Sequence, residues 1–309
     1  ELVQIVCGAP NVKAGIKVPC SLPGAVLPGN FKIKPTKMRG VVSNGMLCSE
    51  EELNIGKDSS GIMILPEDTP VGVPMKEYLG INDTVFELEI TPNRPDCLSH
   101  IGIARELGAY YNKEVKYPSF AINSESSEKT ADNISVEIED SNLAKRYVAR
   151  IIKNVTVKES PKWLKERVES IGIRSINNIV DASNFIMMEL NQPNHTFDLD
   201  KIEGGKIVVR AGHENEKLVT LDEQERELNS DDIVISDGVK AVALGGVMGG
   251  QNSEITENTK NILLEVANFN SQNVRKTSRR LTLFSESSYR FERRVDEENA
   301  INVINRLAN

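Results

Sequence analysis

A chain of 309 residues, 39% hydrophobic and 27% charged, is long enough for about two domains with adequate cores. Its formal net charge of -8 excludes a general binder of phosphate-rich or membrane surfaces, although a local basic patch can override that average. No apolar run approaches the ~18 residues of a membrane span, and no signal peptide is visible.

The chain opens at Glu1 inside the strand-like run "ELVQIVCGAP", which reads as an opening in mid-domain. Residues 1–78 are rich in Pro and Gly, with short apolar runs such as "LVQIVCG", "IKVPCSL" and "FKIKPTKMRGVV". Short runs between turn signals read as a small all-β barrel or sandwich. Residues 79–118 read as a small α/β connecting segment: a strand "VFELEI", the turn "TPNRPD", then a helix in "CLSHIGIARELGAYYNK". Ser99 is the N-cap of that helix, and Ile103, Leu107 and Tyr110 share one face at i, i+4, i+7. Residues 119–135 contain the polar, Ser-rich and aperiodic stretch "NSESSEKTADN" and read as a linker.

Residues 136–309 form a larger unit that opens with strands around "SVEIED" and "RYVARIIKNVTV". In "SPKWLKERVESIG", Ser160 caps a helix, Pro161 sits in its first turn and Gly172 stops it, while Leu164, Val168 and Ile171 form its apolar stripe. A second helix, "NNIVDASNFIMMEL", ends at the Gln-Pro pair just before His195. The β-runs "KIVVRAG", "KLVTLD", "DIVISD", "AVALGG" and "NILLEVANF" follow, then a helix in "SQNVRKTSRRL", a strand in "SSYRFERRV" and a last helix in "EENAINVINRLAN". Strands grouped between helices, rather than strictly alternating with them, favour an α+β fold over a doubly wound sheet.

The four cysteines, Cys7, Cys20, Cys48 and Cys97, show neither Cys-x-x-Cys pairing nor a neighbouring His. That spacing supports no zinc site and no disulfide framework, and it reads as reduced thiols in a cytoplasmic protein. "GGVMGG" (245–250) lacks the Lys-Ser/Thr that a phosphate cradle requires, so its glycines serve a turn or a close backbone approach to a ligand. "RKTSRR" (275–280), with Arg290, Arg293 and Arg294 nearby, is either a solvated helix face or a docking surface for a polyanion. Glu265, alone among Ile, Leu and Val, either faces outward or is buried with a purpose, and a buried carboxylate needs a donor. His195 has no His-Glu-x-x-His partner and no Gly-x-Ser-x-Gly elbow accompanies it, so the default is a loop histidine bonded to backbone.

Several long motifs, all in one order, resemble the β subunit of bacterial phenylalanyl-tRNA synthetase over nearly the full chain. "QIVCGAPNVKAGIKVPCSLPGAVLPGNFKIKPTKMRGVVSNGMLCSEEEL" is similar to the later part of that family's tRNA-binding OB fold. "ITPNRPDCLSHIGIARELGA" is a second such stretch. "VDASNFIMMELNQPNHTFDLDKI", "GGVMGG", "LLEVANF" and "SESSYRFERRVD" resemble the fused B3/B4 segments of its editing module. The resemblance therefore implies a partial OB-like β-barrel over 1–78, lacking its first strands, and a B3/B4-type editing domain over 136–309.

The activity implied is hydrolysis of tyrosine wrongly attached to phenylalanine tRNA. By resemblance His195, Arg174 and Gly249 are the catalytic positions, and Glu265, Ser285 and Ser287 the substrate-binding ones, with Glu265 contacting the tyrosine phenol. The family uses no covalent enzyme nucleophile, so water attacks an ester held in position by hydrogen bonds. Ser285 and Ser287 stand where the family often has Thr and Ala, and Arg294 where glycine is common. The resemblance implies no metal or cofactor in this region; magnesium and ATP serve the complete synthetase. Its implied partners are the phenylalanine-acceptor tRNA and the synthetase α subunit, in a heterotetramer, with no membrane. The competing reading is a non-catalytic fragment that docks tRNA or assembles subunits.

Overall fold

The computed structural model describes every residue except 1, 57, 81 and 82. The chain divides into two units, Glu1–Thr84 and Val85–Asn309. In the first, six strands of two or three residues pair two by two. β1 (Cys20–Ser21) pairs with β6 (Met46–Leu47), β2 (Val26–Leu27) with β3 (Phe31–Lys32), and β4 (Thr36–Met38) with β5 (Val41–Ser43), all antiparallel. One helical turn, α1 (Met75–Tyr78), follows. The small all-β character matches the sequence, but no closed barrel forms among the described residues. Among the described residues Leu27, Ile33 and Cys48 make its buried cluster, while Val26, Phe31 and Val42 stay exposed. Isolated two-stranded pairs bury too little to hold themselves together, so this small cluster carries the packing.

The second unit is the mixed α+β body that the segment order implied. Its elements are α2 (His100–Tyr111), β7 (Ser135–Ile138), β8 (Ala144–Ile152), α3 (Lys162–Ser170), α4 (Asn178–Leu190), β9 (Asn194–Asp198) and β10 (Lys206–Ala211). After these come β11 (Lys217–Val219), β12 (Glu225–Glu227), β13 (Ile233–Ser236), β14 (Ala241–Leu244), β15 (Met248–Gly249) and β16 (Ile262–Phe269). The chain ends in α5 (Ser271–Arg280), α6 (Glu286–Phe291) and α7 (Ala300–Ala308). A five-stranded sheet runs β15-β14-β13-β10-β7, a three-stranded sheet β8-β16-β9, and β11-β12 form a hairpin.

Period-2 alternation explains why β16 is apolar almost throughout. Its Leu263 and Ala267, with Phe197 of β9, pack toward Ile207, Val209 and Ile235 of the five-stranded sheet. Ile262, Leu264 and Val266 face the other way, against Ile186 and Leu190 of α4 and Val303 and Ile304 of α7. Both faces of the strand are therefore covered, and Glu265 within it is only 6% exposed.

Several local expectations are corrected. Residues 85–90 form no strand: they pair with no ladder, and Val85, Phe86 and Leu88 are exposed. "SSYRFERRV" is not a strand but contains most of α6, which a Ser285–Ser288 capping box and a Glu286–Arg290 pair at i, i+4 hold in helical form. Short runs of this kind fit both periods. Ser99 does cap α2, accepting from the Gly102 N–H, but Leu107 and Tyr110 point to solvent while Ile101 and Gly102 are buried. Ser160 is not a cap; Pro161 holds that position and Ser160 donates to Asp181. The stretch 119–135 belongs to the second unit, where Phe120 packs against the α4–α7 core and Lys153 bonds Glu128. In α5 the cations face outward, with Lys276 on Asp231 and Arg280 on Asp232, whereas Arg290 is buried. Arg294 has φ +73°, the left-handed region that favours glycine.

Candidate active site

The site begins with strand register. Glu265 of β16 lies directly opposite His195 of β9 on one side and Ala149 of β8 on the other. Directly opposed residues hold their Cβ atoms about 4.5–5.5 Å apart, so the carboxylate and imidazole share one face of the sheet. His195 is thus a strand residue, not the loop histidine the sequence suggested, because β9 follows α4 after only a short turn. Its ring packs edge-on against Phe197, with centroids 4.5 Å apart.

The glycine-rich run closes the site from the five-stranded sheet. Gly246 has φ +73° and makes the turn between β14 and β15. Gly249 answers a different need: a Cβ there would lie 2.5 Å from His195 Cε1 and 2.7 Å from Nε2. Two hydroxyls staple this run to α6. Ser285 Oγ donates to Val247 O at 2.7 Å, and Ser287 Oγ donates to Gly246 O at 3.2 Å. The Ser287 hydroxyl is therefore held by backbone while the residue lines the site.

The resulting cavity measures about 90 Å³ and is lined by His195, Gly249, Glu265 and Ser287, with Asn194 and Phe291. Sites that enclose a whole small-molecule ligand run to ~300–1,000 Å³, so this one takes a single side chain. Ser285 does not line it; its hydroxyl is turned to Val247 and to the Ser288 N–H. Arg174 does not line it either and is exposed in the segment between α3 and α4. That segment is pinned next to Arg174 by the buried Asp181, which accepts from Ser160 Oγ and Ser175 Oγ at 2.5 Å each and from the Ile176 N–H at 2.9 Å. Asp181→Ala leaves these donors without their acceptor, and a loss of about 2 kcal/mol is expected in chemical denaturation. An unchanged midpoint would show that the segment is held by other contacts.

Burial sets the electrostatics. Desolvation pushes Glu265 up to about 7, opposed by a hydrogen bond from Tyr147, whose hydroxyl donates to Oε2 at 2.6 Å. Oε1 accepts from no described residue. Desolvation also brings His195 down to about 4, so at neutral pH the ring is uncharged and offers one donor and one acceptor. Tyr147 is itself raised well above the usual tyrosine range by burial, then by the adjacent Glu265. Sequence reasoning missed Tyr147, and also Asn194, whose buried Oδ1 has no donor among the described residues. A tyrosine in an apolar strand does signal a hydroxyl seeking a partner. Only the β8–β16 register says which partner.

No carboxylate or serine bonds the His195 ring among the described residues, so the arrangement is not a nucleophile–base–acid triad. Among the described residues one acidic and thiol cluster comes within metal-ligand reach, Asp96, Cys97 and Glu106. Arg94 already bonds its two carboxylates at 2.7 and 2.6 Å and so offsets half of their charge.

Residues 143–309 match the B3/4 domain. The chain belongs to the B3/4 domain family. Residues 1–74 match the putative tRNA binding domain. Among curated proteins, the phenylalanine–tRNA ligase beta subunit of Fusobacterium nucleatum is 56% identical over 306 residues, covering 99% of this chain and 38% of that protein. The namesake subunit of Geobacter metallireducens is 51% identical over 100% of this chain and 38% of its own length, and that of Bacillus cereus 49% over 100% and 39%. The B3/4 chain thus spans less than two fifths of the relatives it matches. An N-terminal fragment of the Pyrococcus horikoshii phenylalanyl-tRNA synthetase beta subunit aligns at a TM-score of 0.35 with 16% identity over 63% of each chain, too distant to bear on the fold.

Proposed function

We propose that this chain is the tRNA-binding and editing part of a phenylalanine–tRNA ligase beta subunit, and that its small cavity hydrolyses tyrosine mis-attached to phenylalanine tRNA. The observation that carries the reading is Glu265, a buried carboxylate with a free oxygen, set across from His195 at a cavity sized for one side chain. A pocket built to bond a hydroxyl rejects the analogue lacking it by roughly 10⁴–10⁵, whereas an apolar pocket that fits phenylalanine discriminates far less against the added hydroxyl. Editing therefore needs a polar pocket, and Glu265 supplies one.

In this reading the tyrosine ring enters between the glycine run and β16, and its phenol donates to Glu265 Oε1. Tyr147 keeps Oε2 occupied and so fixes which oxygen is offered. Water adds to the ester carbonyl; the acyl–oxygen bond breaks, giving free tyrosine and a terminal ribose hydroxyl that takes up the proton. With its affinity for protons lowered to about 4, His195 is a weak general base at neutral pH. Positioning the water or the ester through its ring nitrogens is the role its environment favours. Gly249 leaves the ring room to do so. Arg174, outside the cavity, acts on this reading at the nucleic-acid side of the ester.

The ATP and magnesium of ligation, and pairing with an alpha subunit, belong here to the complete synthetase. The glycine run has no lysine or hydroxyl partner for a triphosphate, so the residues present do not fit that nucleotide. Deacylation of tyrosyl- and phenylalanyl-tRNA by the purified chain tests the proposal. The tyrosyl ester is expected to be cleaved at least about tenfold faster, a difference of roughly 1.4 kcal/mol in barrier. His195→Ala should slow both esters by one factor, since the groups it positions are common to both. Release of neither ester by the wild-type chain would favour the docking reading instead.

A further inference from the structure

A larger cavity, about 290 Å³, lies elsewhere in the second unit, where the start of α2, the end of α4 and the approach to α7 meet. It is three times the size of the His195 cavity and close to the lower limit for sites that enclose small organic ligands. Ile101, Leu190, Phe120 and Tyr117 give it an apolar and aromatic lining.

Its polar groups are left over in a particular pattern. Asn191 Nδ2 donates to Pro95 O at 2.8 Å, and its Oδ1 is sealed inside the protein, away from the cavity. Gln192 is 1% exposed; its Nε2 donates to Pro193 O at 3.2 Å and Ala267 O at 2.9 Å, while its Oε1 has no donor among the described residues. Arg294 pairs with no carboxylate among those residues, and neither does Arg105, whose Nε donates to Tyr117 Oη at 3.0 Å. Of the two carboxylates, Asp96 is held by Arg94 at 2.7 Å, whereas Asp296 makes no ion pair and accepts only the Glu298 N–H at 2.9 Å. Arg294 also keeps a left-handed backbone, φ +73°, that is costly for any residue with a side chain. Strain retained beside a cavity points to a ligand.

We propose that this cavity binds a free α-amino acid with an apolar side chain, its carboxylate on Arg105 and Arg294 and its ammonium on Asp296 and the Gln192 amide oxygen. A simple anion satisfies the arginines but leaves the Gln192 oxygen bare and meets Asp296. A simple cation does the reverse. Only a zwitterion answers both sets, and the aromatic lining takes its side chain. This site is separate from the His195 cavity and does not rest on the editing reading.

Calorimetric titration of the full chain with L-phenylalanine and L-leucine tests it, against 3-phenylpropionate, which lacks the ammonium, and phenethylamine, which lacks the carboxylate. The amino acids are expected to bind, and each truncated analogue to bind at least about tenfold more weakly, the loss of one charge-assisted contact. Arg294→Gly should keep or raise the melting temperature, because glycine relieves the backbone, while lowering affinity at least about tenfold. Glu265→Gln should leave the titration unchanged; a loss there would move the ligand to the other cavity and overturn the proposal. So would analogues that bind as well as the amino acids, unchanged affinity in Arg294→Gly, or no heat from either amino acid up to about 10 mM.

Discussion

Replacing Glu265 with alanine is expected to slow tyrosyl-tRNA hydrolysis roughly ten- to hundred-fold while leaving phenylalanyl-tRNA hydrolysis unchanged or faster. A hydrogen bond to a charged acceptor contributes ~1.5–3 kcal/mol, and each ~1.4 kcal/mol is a factor of ten in rate. Phenylalanine gains because the alanine pocket no longer leaves a buried carboxylate unpaired beside its ring. Glu265→Gln should fall between the two, since the amide still accepts from Tyr147 but carries no charge. The wild-type preference should itself depend on pH. Glu265 titrates near 7, so the tyrosyl-to-phenylalanyl ratio should rise between pH 6 and 8 as the stronger, ionised acceptor forms. Both variants must first be shown to be folded by thermal unfolding, because a buried change can act through stability alone. Equal slowing of the two esters by Glu265→Ala would remove Glu265 from the specificity argument.

The sequence was most legible where one local signal decides the outcome. A cap placed α2, the Gln-Pro pair ended α4, and apolar runs placed β10, β13, β14 and β16. It was least legible where a partner decides. "VFELEI" has every strand feature except a neighbour to pair with, and "SSYRFERRV" fits both periods until its capping box closes. The site follows the same division. Alternation left Glu265 either outward or buried, and only a strand buried on both faces by two different cores settles that it is buried. The motifs carried His195, Gly249, Glu265 and Ser287 to one cavity. Tyr147 and Asn194 were invisible because their roles exist only through the register of β8 and β9 on β16. Arg174 and Ser285 do not line that cavity, since loop path and hydroxyl direction are tertiary facts.

The same pair of groups should leave a signature in the stability of the protein. Glu265 is raised from 4.5 to about 7 on folding, so its contribution is fully present below pH 4.5 and is lost as pH rises through 7. His195 is lowered from 6.5 to about 4, so its contribution is fully present above pH 6.5 and is lost as pH falls through 4. Between pH 4.5 and 6.5 the folded pair is a neutral acid and a neutral imidazole, while the unfolded pair is a carboxylate and an imidazolium. Both states hold the same number of protons, so the two slopes cancel and the pair adds no pH dependence in that window. Glu265→Gln breaks the cancellation. Its stability relative to wild type should be constant below pH 4.5, climb by about 1.4 kcal/mol per unit, and level off above pH 7 after a total gain of about 3 kcal/mol. The other titrating groups are common to both proteins and drop out of the difference. Urea denaturation of the two proteins at half-unit steps from pH 4 to 8 reads this directly. A flat difference across the range would mean that Glu265 ionises at its ordinary value, and that the dry carboxylate on which the pocket's selectivity depends is not dry.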